Sequence, residues 1–376
     1  MENSFSRFIE KIRSIMQYHL GRADQGMSIF SNLWDGYPEM KIDFSYTPRH
    51  IISNSGYIFK GKHYRCSYIR FPTFYEDPEP GTETVQLYNF QPKEKIRASL
   101  MILHGLGSSN IKFLLWMGKQ LSSAGINTSV LILPGIYTRG ENGSASGVSY
   151  FHPHIPRMYK FWEHAVVDTR SVLDFLDQQK LWKTNNCLLG YCLGGMIASI
   201  ISVLDTRVYQ TMFMTIGGHL PRILFESKAT RFVRKIIHNG FKNEYDLHDK
   251  KKLYTVYREQ LPAVQKMSLH QILNNEEIHP LFRIDPLSYA HLLDKAKTVF
   301  IDALFDSSLP LQSRRLLYKE MVGAERYIIP IGHVTWLPFE YLLARYLTYK
   351  LHIYDRNIIK RLFVKESVED PLDEVL

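Results

Sequence analysis

Cysteine is scarce in this chain, with three residues in 376. Cys66, Cys187 and Cys192 are too few to staple a small secreted fold, and their odd number leaves at least one free thiol. This suits a reducing, cytoplasmic compartment. Long apolar runs are missing as well: no stretch approaches the roughly 20 residues that cross a bilayer, so no integral membrane segment is expected. No internal repeat is present, and the 22 glycines and 17 prolines punctuate turns rather than forming a low-complexity linker. The net charge of +9 has no single basic face behind it. The one local cluster, Lys250, Lys251 and Lys252, reads as a solvated helix surface, so a nucleic-acid partner is not expected. The N-terminus is no signal peptide, because Glu2, Arg7, Glu10, Lys11 and Arg13 interrupt its apolar positions. There Phe5, Phe8, Ile9, Ile12, Ile15 and Met16 recur at helical spacing, which predicts an amphipathic helix docked on the body.

What is present is material for a large core: 45% of the residues are hydrophobic and only 22% charged. Strand-like segments at 57–71 and 84–90 open the chain. Short apolar runs follow at 99–103, 128–133, 187–189, 211–216, 298–304 and 327–331. Helical patterns alternate with them at 111–124, 156–179, 196–205, 311–321 and 337–353. Runs that are apolar at every position suit strands buried on both faces, and alternating β and α units predict a doubly wound, mostly parallel sheet. Ligands of such a sheet bind at the carboxyl ends of its strands. From 220 to 295 the rhythm breaks into a helical stretch too long for an ordinary crossover. Its Phe225, Phe232, Ile236, Ile237, Leu253, Tyr254, Tyr257 and Leu261 could form a cap over the site. The expected organisation is therefore an N-terminal segment at 1–56, an α/β core at 57–219 and 296–354, a cap at 220–295 and an acidic, loose tail at 355–376.

The chemistry concentrates at strand ends. Gly190-Tyr191-Cys192-Leu193-Gly194-Gly195 follows an apolar run and reads as a nucleophile elbow, a sharp strand-to-helix turn that exposes one side chain. Downstream, Asp306 lies in a loop at a strand's carboxyl end. Asp302 competes for the same role but falls inside the strand. The last strand leads into Gly332-His333, where a loop histidine could reach back over the elbow. Nucleophile, acid, then histidine is the order expected for a triad on this kind of sheet. The run His104-Gly105-Leu106-Gly107 occupies the oxyanion-loop position, so the N–H groups of Leu106 and Leu193 are the expected oxyanion donors. Cys187 is expected in the core and Cys66 has no visible partner. Arg139, Glu141 and Asn142 could line the pocket or be a solvated loop. His152 and His154 have no third ligand nearby, so no metal is expected, and no dinucleotide fingerprint or other cofactor motif occurs.

From 97 to 351 these motifs resemble the α/β-hydrolase superfamily. The elbow is similar to that of dienelactone hydrolases and to the lipase-like box of polyhydroxyalkanoate synthases, both of which use cysteine. Dienelactone hydrolases are much shorter and lack a long cap. The segment 133–137, Arg139-Gly140-Glu141 and the helix at 157–175 look more like a group of bacterial α/β-hydrolases. The resemblance implies a Cys192–His333–Asp306 triad that cleaves a carboxylic ester, lactone or thioester of a small acyl substrate. Two alternatives stay open: an acyltransferase using the same acyl-enzyme, and a non-catalytic protein that keeps the fold as a binding scaffold.

Overall fold

The computed structural model describes residues 41–107, 111–141, 146–241, 245–334, 336 and 340–363. The N-terminal helix expected within residues 1–17 lies outside them. Nine strands among the described residues form one sheet: β1 (Asn54–Lys60), β2 (Tyr64–Pro72), β3 (Thr84–Pro92), β4 (Ala98–Leu103), β5 (Ile126–Ile132), β6 (Asn186–Tyr191), β7 (Gln210–Met214), β8 (Thr298–Ala303) and β9 (Glu325–Ile329). Their spatial order is β1-β2-β3-β5-β4-β6-β7-β8-β9. The first three strands form an antiparallel meander whose β3 pairs antiparallel with β5. From β5 to β9 every pairing is parallel. The opening segment at 57–71 is thus two strands rather than one, because the chain turns at Gly61, whose N–H bonds the Tyr64 carbonyl at 3.0 Å.

Burial follows position in the sheet. Every residue of β4, β5, β6 and β8 is buried, as strands covered on both faces require. β9 is the edge, and none of its five residues is fully buried. One apolar cluster fills the face carrying the helices Ile155–Gln178 and Leu193–Leu204. A second fills the opposite face beneath Lys112–Ser123 and Glu340–Lys350. A loose tail is expected from Asp355, but Arg356–Lys360 is helical and Ile358, Ile359 and Leu362 are buried against this second cluster; residues 364–376 lie outside the described residues.

Between β7 and β8 the described residues form helices, among them Leu220–Glu226, Arg231–His238 and Lys250–Val264, and no strand. One buried carboxylate gathers the ends of this insertion and its longest helix. Asp285 is fully buried and accepts the N–H groups of His219, Leu220 and Leu287 at 2.9, 2.6 and 3.0 Å, and the Tyr257 hydroxyl at 3.0 Å. Burial raises its pKa although these four donors favour the anion.

On the other flank, Arg139 and Asp168 form an ion pair at 2.6 Å with both side chains fully buried. Arg139 also donates to the Ile132 and Thr82 carbonyls, at 2.8 and 2.7 Å, and Thr73 donates to Asp168 at 2.6 Å. Burial alone would raise the Asp168 pKa, but the Arg139 charge and the bonds from His164 and Thr73 pull it down to about 2. Removing one member of such a pair strands a buried charge. Asp168→Ala is therefore expected to cost about 3–5 kcal/mol, read as a lower urea midpoint with an unchanged slope.

Candidate active site

The site is built on the turn that ends β6. Cys192 caps the helix Leu193–Leu204 with φ 52° and ψ −115°, a backbone conformation that a residue with a Cβ adopts only under constraint. The constraint is visible. The Cys192 N–H donates to the Met214 carbonyl at 2.9 Å, and the N–H of Thr215, the next residue, donates to the Ile301 carbonyl at 2.9 Å. The ends of β6, β7 and β8 are thereby stapled together. The neighbouring glycines are steric requirements. A Cβ on Gly194 would lie 2.1 Å from the Leu103 carbonyl oxygen, and one on Gly190 would lie 2.4 Å from the Gly195 Cα.

Asp306 and His333 arrive from β8 and β9. The chain leaves β8 pinned to the β9 side, with the N–H groups of Leu304 and Phe305 on the Ile329 and Ile331 carbonyls. Asp306 Oδ1 then accepts the N–H groups of Ser308 and Leu309 at 2.8 and 2.9 Å. Its Oδ2 lies 2.8 Å from His333 Nδ1, with the Asp306 side chain fully buried. On its other side His333 hydrogen-bonds Cys192. The structure therefore brings Cys192, His333 and Asp306 together. Asp302 is engaged elsewhere, with Arg314 and, at 2.7 Å, with Arg326.

The electrostatics follow from this arrangement. Burial by itself would depress the His333 pKa, but the negative charges of Cys192 and Asp306 and the hydrogen bonds to both hold the imidazolium and raise it to about 10. Burial would raise the Asp306 pKa, and its contacts with His333 bring it down instead. His104 provides the contrast. Its Nε2 accepts the Leu133 N–H at 3.0 Å and its Nδ1 faces the Gly105 carbonyl at 3.0 Å. With no anion beside it, burial takes its pKa down to about 4, so it braces the loop as a neutral ring.

That brace holds the loop after β4. A Cβ on Gly105 would lie 3.1 Å from the Cys192 Cβ, so this loop runs against Cys192. Leu106 follows directly. Leu193, fully buried, is the first residue of its helix, and its N–H has no intrahelical partner.

Other candidates resolve differently. Arg139 is buried in the ion pair described above rather than lining a pocket. Glu141 is held by Arg157 and, at 2.8 Å, by Ser149; Asn142 lies outside the described residues. The rings of His152 and His154 are 6.5 Å apart and each meets Phe241 edge-on. Among the described residues no group of three His, Cys, Asp or Glu side chains could hold a metal ion. Cys187 is buried in β6, which pushes its thiol up to about 12. Sequence reasoning passed over Tyr191 and Trp336. The Tyr191 hydroxyl and Trp336 Nε1 both donate to the His333 carbonyl, at 2.6 and 2.8 Å. Nothing in a linear pattern pairs residues 142 positions apart.

A histidine pKa raised on folding contributes stability that is complete below its ordinary value near 6.5 and is lost as pH climbs through the folded value of about 10. The difference in melting temperature between the native chain and His333→Gln is therefore expected to be constant below about pH 6.5 and to shrink steadily from there towards pH 10. A difference that is flat to that pH would contradict this coupling.

No protein-family model matches this chain, and no curated protein matches it. Solved structures do. The acylaminoacyl peptidase of Pyrococcus horikoshii is similar with a TM-score of 0.51 at 13% identity, over 78% of this chain and 43% of that one. A cold-adapted esterase from an Arctic intertidal metagenomic library matches at 0.48 and 13% identity, over 78% and 96% of the two chains. An acetyl xylan esterase from Paenibacillus sp. R4 matches at 0.48 and 15%, over 81% and 89%. Among the described residues no helix is long and apolar enough to cross a membrane. With its antiparallel opening strands, helix-linked parallel run from β4 to β9 and elbow at the end of β6, the chain has the α/β-hydrolase fold.

Proposed function

We propose that this chain is a hydrolase that cleaves a carboxylic ester, lactone or thioester through a covalent thioester on Cys192. One observation carries the reading: a single imidazole, His333, bonds Asp306 through Nδ1 at 2.8 Å and Cys192 on its other side. A shared fold does not supply an activity, so the argument rests on these groups.

In the first half-reaction the Cys192 sulfur attacks the acyl carbon, and its proton resides on His333. The carbonyl electron pair moves to oxygen, where the N–H groups of Leu106 and Leu193 would hold it. The tetrahedral adduct collapses, the bond to the leaving group breaks, and that group takes the proton from His333. In the second half His333 removes a proton from water, the hydroxide adds to the thioester carbon, and the Cys192 sulfur departs as the acid is released. Asp306 keeps the imidazole in one tautomer and balances its positive charge. No step needs a metal or cofactor.

Two further parts belong to this reading. Residues 220–295 act as a cap that shapes the acyl pocket. Contacts of the insertion with the acid loop, where the Ser227 hydroxyl donates to the Ser308 carbonyl at 2.5 Å, support this. A reducing compartment is supported by three buried cysteines that form no disulfide.

Cys192→Ala is expected to lower turnover of short acyl esters and thioesters by about 10³-fold or more. Native-level turnover by that variant would remove the nucleophile from the scheme. Product analysis with and without an added alcohol separates hydrolysis from transfer: free acid in water alone is expected, and turnover only with the alcohol would assign an acyltransferase.

A further inference from the structure

Within the proposed triad, Cys192 and His333 are anchored very unequally. Cys192 stands at the end of β6, a central strand buried at every position. His333 follows β9, an edge strand that pairs only with β8 and leaves Tyr327 and Ile328 exposed at 40% and 54%. A histidine carried by so lightly held a strand needs a second attachment if its ring is to keep hydrogen-bonding register with the sulfur.

The attachment comes from the residue next to the nucleophile. Tyr191 is 4% exposed, and its hydroxyl donates to the main-chain carbonyl of His333 at 2.6 Å. Trp336, 2% exposed, donates its indole N–H to the same oxygen at 2.8 Å. One carbonyl thus receives two buried donors, one from the central strand and one from the histidine's own loop. The Tyr191 ring lies 5.4 Å from the His333 ring, tilted by 36°. On its other side two of its ring carbons come within 3.0 Å of where a Gly105 Cβ would stand. The same side chain therefore touches the histidine loop and the oxyanion loop, and is joined by a peptide bond to Cys192. Burial above all, with the neighbouring Asp306 carboxylate, pushes the phenol's pKa far up, so it remains a neutral donor at any working pH.

We infer that Tyr191 is a positioning residue of this active site: by holding the His333 carbonyl it fixes the imidazole over Cys192, with Trp336 as the second arm of the clamp. It touches no reacting atom and acts through His333 alone. The inference rests on the triad reading above.

The test needs no substrate for its first arm. The alkylation rate of Cys192 by iodoacetamide is measured against pH in the native chain, Tyr191→Phe and Trp336→Phe, with the modified residue located by peptide mass. Tyr191→Phe keeps the ring and its packing and removes only the donated bond. Its alkylation midpoint is expected at higher pH than in the native chain, because a displaced imidazolium stabilises the thiolate less. Against a short acyl ester its kcat is expected to fall by ~10- to 100-fold with KM unchanged, the scale of a small misplacement of a catalytic group. Trp336→Phe should move both quantities in the same direction, and it decides the matter should Tyr191→Phe fail to fold. If either folded variant lowers the melting temperature while leaving the midpoint and kcat at native values, the residues are merely structural and the inference is overturned. If native Cys192 reacts no faster than the same thiol in the urea-unfolded chain, the triad reading fails instead.

Discussion

Everything at this site depends on one strained residue being held in place. Cys192 sits at φ 52° in a conformation that repels its own Cβ. It stays there because the chain on both sides has nowhere else to go. Ahead of it, β6 is locked between β4 and β7. Behind it, the helix Leu193–Leu204 is pressed so closely on the end of β4 that position 194 has no room for a side chain. The placement of the Cys192 side chain beside His333, the first-turn N–H of Leu193 and the proximity of the Gly105 loop all follow from that single turn. The rigid centre of the sheet supplies the constraint; the edge contributes the groups that must be brought to it.

The buried charges at and around this site have defined partners, and those neighbours decide what each group does. Asp302 and Asp306 differ by four positions and have opposite fates. Asp302 faces two arginines and ties the helix Leu311–Glu320 and β9 to β8. Asp306, just past the strand, faces backbone N–H groups on one oxygen and an imidazole on the other. His104 and His333 make the same point. His104 is buried among a carbonyl and an N–H and loses its affinity for a proton; His333 is buried between an acid and a thiol and gains it. Burial is common to both, so the sign of the shift comes from the anions.

Much of this could be read in advance because parallel strands buried on both faces leave continuous apolar runs, and because a strand-to-helix elbow demands glycines at set offsets. β4, β5, β6, β7 and β8 each stand where such a run occurs. The reading weakened wherever the signal was not periodic. The β1–β2 hairpin looked like one strand, since its turn at Gly61 interrupts a segment rich in aromatic and β-branched residues on both sides. Arg139 read as either a pocket residue or part of a solvated loop, since an arginine after a strand end gives no sign of a buried aspartate 29 positions later. Ile358, Ile359 and Leu362 looked like part of a loose end because three apolar residues in a charged stretch are too few to show a helical period.

Local pattern alone determined the type and order of the groups proposed to act: a cysteine between glycines, an aspartate at a strand end, a histidine after the last strand. Each is a matter of residue type at short spacing, which is information a linear chain carries. Tertiary structure decided which aspartate meets the histidine, which arginine is buried, and what steadies the imidazole over the sulfur. Those outcomes depend on side chains brought together across 27 to 142 residues of sequence. Contact at such separations is set by how the strands stack and by which buried charges must find partners.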